Sequence, residues 1–212
     1  MSGFGRFVAW AVIPTALVGG LLRMFVFEPW VVPKDDWLNA STAPTLDAGD
    51  TVLLLTVGTP GVGDLVRCKD PEEPSAFVIG RIVGKGGDIV EIGTASLKVN
   101  GHGYYSSESC ADGGYTVLSP ETQARMDLVC GRVEFAGGWH LMGRVPKAKS
   151  EPPKSHKVEP GKLFLVSDNR DIHDDSRDFG QVAAESCDRR IAFRLWGAKG
   201  WTDGKRRLTL VR

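Results

Sequence analysis

The longest apolar run of the chain stands near its start. FVAWAVIPTALVGGLL, residues 7–22, carries no charge; Arg23 interrupts the run and MFVF extends it to Phe27. As a helix, residues 7–27 would reach about 32 Å, enough to cross the hydrocarbon core of a bilayer. No polar face recurs at the helical period, which argues against an ordinary amphipathic core helix. Arg23 lies near one end, where it can snorkel, and Pro14 is tolerated in a membrane helix. An uncleaved anchor is therefore expected. The competing reading is a cleavable secretory signal cut near Gly20, but the stretch before the run offers only Arg6, and Val18-Gly19-Gly20 is a poor small-x-small site. Arg6 and Arg23 nearly balance, so they set the orientation only weakly.

After Pro33 the pattern shortens. DTVLLLTV (50–57), DLVRC, AFVIGRIVG, DIVEI and SLKVNG are β-rich runs punctuated by Gly, Asp and Pro. KLFLVSD and RRIAFRLWG repeat this grammar near the C-terminus. Residues 101–157 are less regular and read as an insert, and KAKSEPPKSHKVEPG (147–161) reads as an exposed, Pro-rich connector. No internal repeat is evident. The expected organisation is an anchor over residues 1–28 and a mostly-β domain over residues 29–212.

Composition narrows the function. Of 212 residues, 42% are hydrophobic and 25% charged, enough for one domain with a sizeable core or a small domain plus an anchor. Lys+Arg and Asp+Glu number 26 each, so no basic field exists to hold nucleic acid. Cys68, Cys110, Cys130 and Cys187 form no C-x-x-C pair, and His102, His140, His156 and His173 show no H-x-x-x-H spacing, so zinc and thioredoxin chemistry are not indicated. Cys110 and Cys130 flank a Gly/Ser-rich stretch. In an oxidising compartment they are expected to form a disulfide; the alternative is four buried thiols.

Four segments carry a resemblance. RMFVFEPWVVP (23–33), STAPTLDAGDTVLL (41–54), GRIVGKGGDIVEI (80–92) and SDNRDIHDDSRDFGQV (167–182) resemble, in order, the helix-to-domain joint, the nucleophile segment, the K-R-V-x-G-x-P-G-D box and the G-D-N-R-D-N-S-x-D-S-R box of type I signal peptidases. Together they span most of the chain. The resemblance implies a signal-peptidase-like β-sheet domain on a single N-terminal transmembrane helix, and a serine nucleophile activated by a neutral lysine amine. It places the nucleophile at Ser41, three residues before Pro44.

The sequence departs from that pattern in four places. KDDWL (34–38) is an apparent insertion, suited by Trp37 and Leu38 to a membrane interface and equally to an exposed loop. Asn39 stands two before the nucleophile, where the family has a serine that helps the oxyanion; an amide N–H can do the same, and such a donor is worth about 3 kcal/mol in other proteases. Gly80 occupies the lysine position, and its neighbour Arg81 cannot act as a base. His173 replaces the serine that partners the lysine amine. The loss at Gly80 and the gain at His173 look complementary, so His173 is the expected base, paired with Ser41 and oriented by Asp174 or Asp175. Lys85, the nearest lysine in sequence, would need an unusual path. A metal site of Asp171, His173 and Asp174 or Asp175 finds no second ligand cluster in support. Asp168, Arg170, Asp175 and Arg177 are expected to form bidentate pairs, with Asn169 and Ser176 satisfying buried backbone groups.

The resemblance thus implies a single-pass serine endopeptidase of the cytoplasmic membrane, its catalytic domain on the extracytoplasmic side. Its partners would be secretory precursors and membrane lipid, with no metal or organic cofactor. It would remove signal peptides after small residues, the peptide lying extended beside residues 76–81 and the segment before Ser41. Two rivals are a non-catalytic homologue that binds exported segments without cutting them, favoured by the missing lysine, and a maturation protease with a narrow substrate set, favoured by the KDDWL insertion.

Overall fold

The computed structural model describes residues 10, 12, 14, 15, 17–20, 26–73, 75–94, 96–110, 114–146 and 152–212. Among the described residues sixteen strands follow one another: β1 (Phe27–Val31), β2 (Thr51–Leu55), β3 (Leu65–Lys69), β4 (Phe77–Lys85), β5 (Ile89–Ile92), β6 (Leu97–Val99), β7 (His102–Tyr104), β8 (Ser106–Ser109), β9 (Tyr115–Leu118), β10 (Arg125–Phe135), β11 (Gly138–Arg144), β12 (Lys154–Lys157), β13 (Lys162–Val166), β14 (Val182–Ala183), β15 (Arg189–Trp196) and β16 (Thr209–Leu210). One short helix, α1 (Asp36–Thr42), lies between β1 and β2. The mostly-β class holds. The expected anchor lies largely outside the described residues. Of its described members, 10, 12, 14, 15 and 17–20 are helical and exposed, and among the described residues no helix is long and apolar enough to cross a membrane. Phe27 and Glu28, grouped with the anchor in the sequence, belong to β1 and pair with Leu55 and Leu54.

The main sheet runs β1-β2-β15-β3-β4-β13-β14, with β16 on β15, and its paired strands are antiparallel. β4 is apolar on either side of Arg81 and buried from Val78 to Gly84 because both its faces are covered. Val78 and Ile82 join Val66, Cys68, Leu163 and Leu165 in one buried cluster, whereas Ile79 packs with Val32, Leu38, Leu46 and Leu54 in another. A third cluster joins Val83, Val90, Phe164 and Val166 to Val133 and Phe135 of β10. The turn into β5 is tight: Asp88 N–H donates to Lys85 O, and Gly87 sits at φ 99°, a conformation natural to glycine.

The segment read as irregular is built of strands. β8, β9, β10 and β11 form a sheet on β10, the longest strand, and β12 adds to β5-β6-β7. The connector prediction fails at its end: Lys154–Lys157 pairs with β5 while its side chains are mostly exposed. Such a polar edge strand has backbone pairing but no apolar face to betray it.

Two disulfides tie these sheets. Cys110–Cys130 joins the end of β8 to β10, and Cys68–Cys187 joins β3 to the approach to β15. The second pair, 119 residues apart in sequence, becomes adjacent only through the sheet order. A link closing so long a loop removes much chain entropy from the unfolded state. Cys68→Ser is expected to lower stability by about 4 kcal/mol, read as a fall in the denaturant midpoint under non-reducing conditions.

Candidate active site

Asp35 caps α1, its carboxylate accepting the Leu38 N–H at 2.8 Å. The KDDWL stretch is therefore the capped first turn of a helix rather than a loop. Ser41 lies in the last turn. Its Oγ donates to Leu38 O at 3.1 Å, and Thr42 Oγ1 donates to the same carbonyl at 2.7 Å. Ser41 is 1% exposed.

The loop after β13 is docked onto this turn through its backbone. Asn169 N–H donates to Ser41 O at 2.9 Å and its Nδ2 to Ala40 O at 2.8 Å. On the other side Gly143 N–H donates to Asp168 O, and Arg170 N–H to Gly143 O, both at 2.9 Å. A Cβ at Gly143 would stand 3.1 Å from Ala43 O, so glycine lets β11 approach the end of α1.

Ion pairs hold the loop from beneath. Arg81 Nε and Nη2 donate to the two oxygens of Asp168 at 2.8 and 2.7 Å, and Thr45 Oγ1 adds a donor at 2.5 Å. Burial alone would raise the Asp168 carboxyl; the charge and hydrogen bonds of Arg81 overcome this and hold it below its ordinary value. Asp175 is likewise buried and likewise held low, clamped by Arg177 Nε and Nη2 at 2.9 and 2.7 Å and by Ser167 N–H at 2.7 Å. Ser176 Oγ accepts Leu165 N–H at 2.9 Å. Arg170 departs from the expected pairing, because Arg81 and Arg177 occupy the carboxylates. Its Nη2 meets His140 Nε2 at 3.5 Å, its Nη1 has no hydrogen-bond partner among the described residues, and burial pulls its pKa down to about 10.

An arginine only donates, so His140 Nε2 accepts and the proton of this neutral imidazole sits on Nδ1. Burial, then the positive charges of Arg81 and Arg170, push His140 well below 6.5, against the opposing pull of Asp168. His140, invisible as a candidate in the sequence, is thus the buried acceptor behind the charged loop.

His173 faces a pocket of about 740 Å³ walled by Trp37, Leu38 and Phe77 and rimmed by Asp35, Asp70, Asp174 and Asp178. Its Nδ1 lies 2.7 Å from Asp178 Oδ2. Neither Asp174 nor Asp175 orients the ring: Asp174 makes no hydrogen bond to it, and Asp175 is already engaged. Burial, then Asp178, Asp175, Asp70 and Asp35, raise the Asp174 carboxyl. Ligand atoms of His173, Asp175 and Asp178 lie within 4.8 Å of one another, but Arg177 and a backbone N–H already use both Asp175 oxygens. Asn39 lines a second pocket, against Tyr115–Leu118, and only Lys34 lines both. Adjacent helical positions diverge by about 100°, so Leu38 and Asn39 serve different pockets, and Asn39 does not face the His173 pocket. Lys85 stands at the far end of β4, beside the β5 turn.

The profile of the signal peptidase family, peptidase S26, matches residues 5–196. The chain belongs to the signal peptidase family. It is 28% identical over 183 residues to signal peptidase I of Pseudomonas fluorescens, covering 77% of this chain and 59% of that one. Against signal peptidase I of Pseudomonas aeruginosa PAO1 it is 27% identical over 218 residues, covering 91% and 72%. The chain thus spans about three-fifths of the first relative's length. A signal peptidase I of Enterococcus faecalis V583, known from its crystal structure, is similar at 22% identity and a TM-score of 0.41, over 64% of this chain and 98% of that one.

In this signal peptidase family member, the lysine-box position does not adjoin the histidine. The atoms nearest a Cβ built at Gly80 are those of Leu165, with Cβ at 2.8 Å, and of Val166. Strand alternation explains this: Gly80 shares a face with Val78 and Ile82, whereas Ile79 and Arg81 point toward α1 and the charged loop. Leu165, not an imidazole, fills the space, so the expected complementarity fails. Gly80→Ala should destabilise the fold by about 1–2 kcal/mol, overpacking of about 1–3 outweighing up to about 1 regained in backbone entropy. Urea unfolding reads the loss, and Gly80→Lys should cost more and restore nothing.

His140 makes stability pH-dependent. Its folded pKa lies below its unfolded one, so the unfolded chain binds the proton first as pH falls. The contribution is complete above about 6.5 and declines as pH drops through the window beneath. Asp168 and Asp175 lose theirs only lower, below the ordinary carboxylate value of 3.8, while raised Asp47 and Asp174 act in the opposite sense. Urea midpoints between pH 7.5 and 5 are expected to fall for the wild type, and to fall less for His140→Gln.

Proposed function

We propose that the protein is a membrane-anchored serine endopeptidase that removes signal peptides from exported precursors after small residues, with Ser41 as nucleophile and His173 as base. The supporting observation is the junction at the His173 pocket. β3 pairs with β4 along Phe77–Arg81, but β13 pairs only from Arg81 onward, so among the described residues 77–80 have no strand partner on one side. That open half ends at the pocket formed by Ala76, Phe77, Pro33, Trp37, Leu38 and His173. An extended peptide would pair with the open half and present its carbonyl between α1 and His173. The apolar segment over residues 7–27 would hold the protein at the cytoplasmic membrane, with the β domain on the extracytoplasmic side, where two disulfides suit an oxidising compartment.

In this reading the Ser41 hydroxyl turns from the Leu38 carbonyl and its oxygen attacks the scissile carbonyl carbon. Its proton passes to His173 Nε2 and then to the departing amine nitrogen as the peptide bond breaks. Water attacks the resulting ester, gives a proton to Nε2, and the proton returns to Ser41 Oγ as the acid product leaves.

One observation favours a second reading. Ser41 is buried, its hydroxyl engages Leu38 O, and no hydrogen bond joins it to His173. A non-catalytic homologue that binds exported peptides would need no more. Full-length protein in vesicles, given an exported precursor and followed by mass spectrometry, separates the two. Ser41→Ala and His173→Ala are each expected to lose at least about 10³-fold in cleavage, with the double variant little worse because the pair acts as a unit. Binding without cleavage by wild type and Ser41→Ala alike would establish the second reading.

A further inference from the structure

The carboxylate on His173 is neither of the two acids beside it in sequence. We propose that Asp178 is the positioning residue of this site, holding His173 with its proton on Nδ1 and its Nε2 lone pair turned to the pocket. The proposal rests on the reading of His173 as base.

Three carboxylates compete for the role, and the hydrogen bonds choose among them. Asp175 spends both oxygens on Arg177 and on backbone N–H groups. Asp174 lines the pocket without a bond to the ring. Asp178 Oδ2 stands 2.7 Å from Nδ1, and a carboxylate there can only accept, so Nδ1 carries the hydrogen. The same oxygen accepts Asp175 N–H at 3.1 Å, and Asp178 N–H donates to Asp175 O at 2.8 Å. The carboxylate is therefore part of a turn closed at both ends. Because Asp175 is itself locked by Arg177, rigidity passes from a buried ion pair through one backbone N–H to Asp178 and on to the ring. Around the ring, the charged groups lining the pocket are Asp174 and Asp178 from its own loop, Lys34 and Asp35 from the approach to α1, and Asp70 beyond β3.

Free imidazole favours hydrogen on Nε2, which would point a donor rather than an acceptor at an incoming serine. Fixing the tautomer is thus what converts this histidine into a base. Asp178 would not take the proton; it would stabilise the imidazolium while Nε2 holds it. The pair is only partly buried, with side-chain exposures of 22% for His173 and 43% for Asp178. Its loss should leave the fold standing, because exposed ion pairs add little stability.

The test uses full-length protein labelled with ¹⁵N-histidine, with the His173 resonances identified by their loss in His173→Gln. In the wild type the neutral His173 ring is expected as the Nδ1–H tautomer. In Asp178→Ala it should move to Nε2–H with the other three histidines unchanged, and Asp178→Glu should restore part of the wild-type signal. Cleavage by Asp178→Ala should fall on the order of 10²–10⁴-fold in kcat with KM nearly unchanged. An unaltered tautomer in Asp178→Ala overturns the proposal. So does an unaltered kcat in Asp178→Ala where His173→Ala is inactive. Cleavage retained by His173→Ala overturns the underlying reading of the base, and the tautomer measurement, which needs no turnover, still decides whether Asp178 orients the ring.

Discussion

The buried pair of Arg81 and Asp168 fixes where the chain leaves the main sheet. Val166 pairs with Arg81 across the β4–β13 ladder, and two residues later Asp168 returns to the same arginine with both oxygens. Arg81 Nη1 also donates to Gly63 O at 2.7 Å, and Thr45 donates to Asp168. β4, the approach to β3, the turn after α1 and the start of the charged loop thus converge on one ion pair. Burying two ions costs several kcal/mol each before their attraction is counted. What the pair supplies is register. Asn169 can reach Ala40 and Ser41 only because Asp168 is held one residue earlier. Ser41 is therefore positioned by an ion pair that none of its own atoms touches.

The strict alternation of β4 then divides the site's neighbourhood. Arg81 and Ile79 serve the α1 side, while Gly80 serves the opposite cluster against Leu165. Gly80, where the resemblance expected a lysine, and His173 are thus two separate features, the first packed against Leu165 and the second lining the pocket beside Leu38 and Phe77. The ring at position 173 finds its order within its own loop, from the Asp175–Asp178 turn. Arg170, without a carboxylate, leans on the neutral His140 instead, and that contact makes the base of the loop sensitive to protonation.

Short β-rich runs between turn residues made β2, β3, β4, β13 and β15 legible in the sequence, and the four boxes made the family legible. The rest lacked a one-dimensional signal. β8 and β12 are polar and mostly exposed, so their pairing leaves no hydrophobic period. α1 is seven residues long, too short to show a stripe, although Asp35 as its cap was readable in principle. Cys68 and Cys187 meet only because β15 lies beside β3. In the charged loop, composition announced ion pairs but not partners. Asp168 chose an arginine 87 residues away, and the choice among Asp174, Asp175 and Asp178 was made by turn geometry that no spacing reveals.

The position of the Ser41 hydroxyl links fold to chemistry. Leu38 O receives two hydroxyls, from Ser41 and Thr42, the back-bonding that serines and threonines make to the preceding helical turn. Releasing Ser41 leaves that carbonyl satisfied by Thr42, so no buried acceptor is orphaned. The cost is that of one neutral hydrogen bond, about 1 kcal/mol net. A peptide pairing along residues 77–80 would form several such bonds. Freeing the hydroxyl is therefore a small demand on substrate binding, whereas breaking the Asn169 bonds to Ala40 and Ser41 would be a large one. The arrangement leaves the serine's backbone rigid and its side chain adjustable. A hydroxyl engaged at rest, on the helix whose Leu38 walls the His173 pocket, is what the proposed reading asks of a site completed by its substrate.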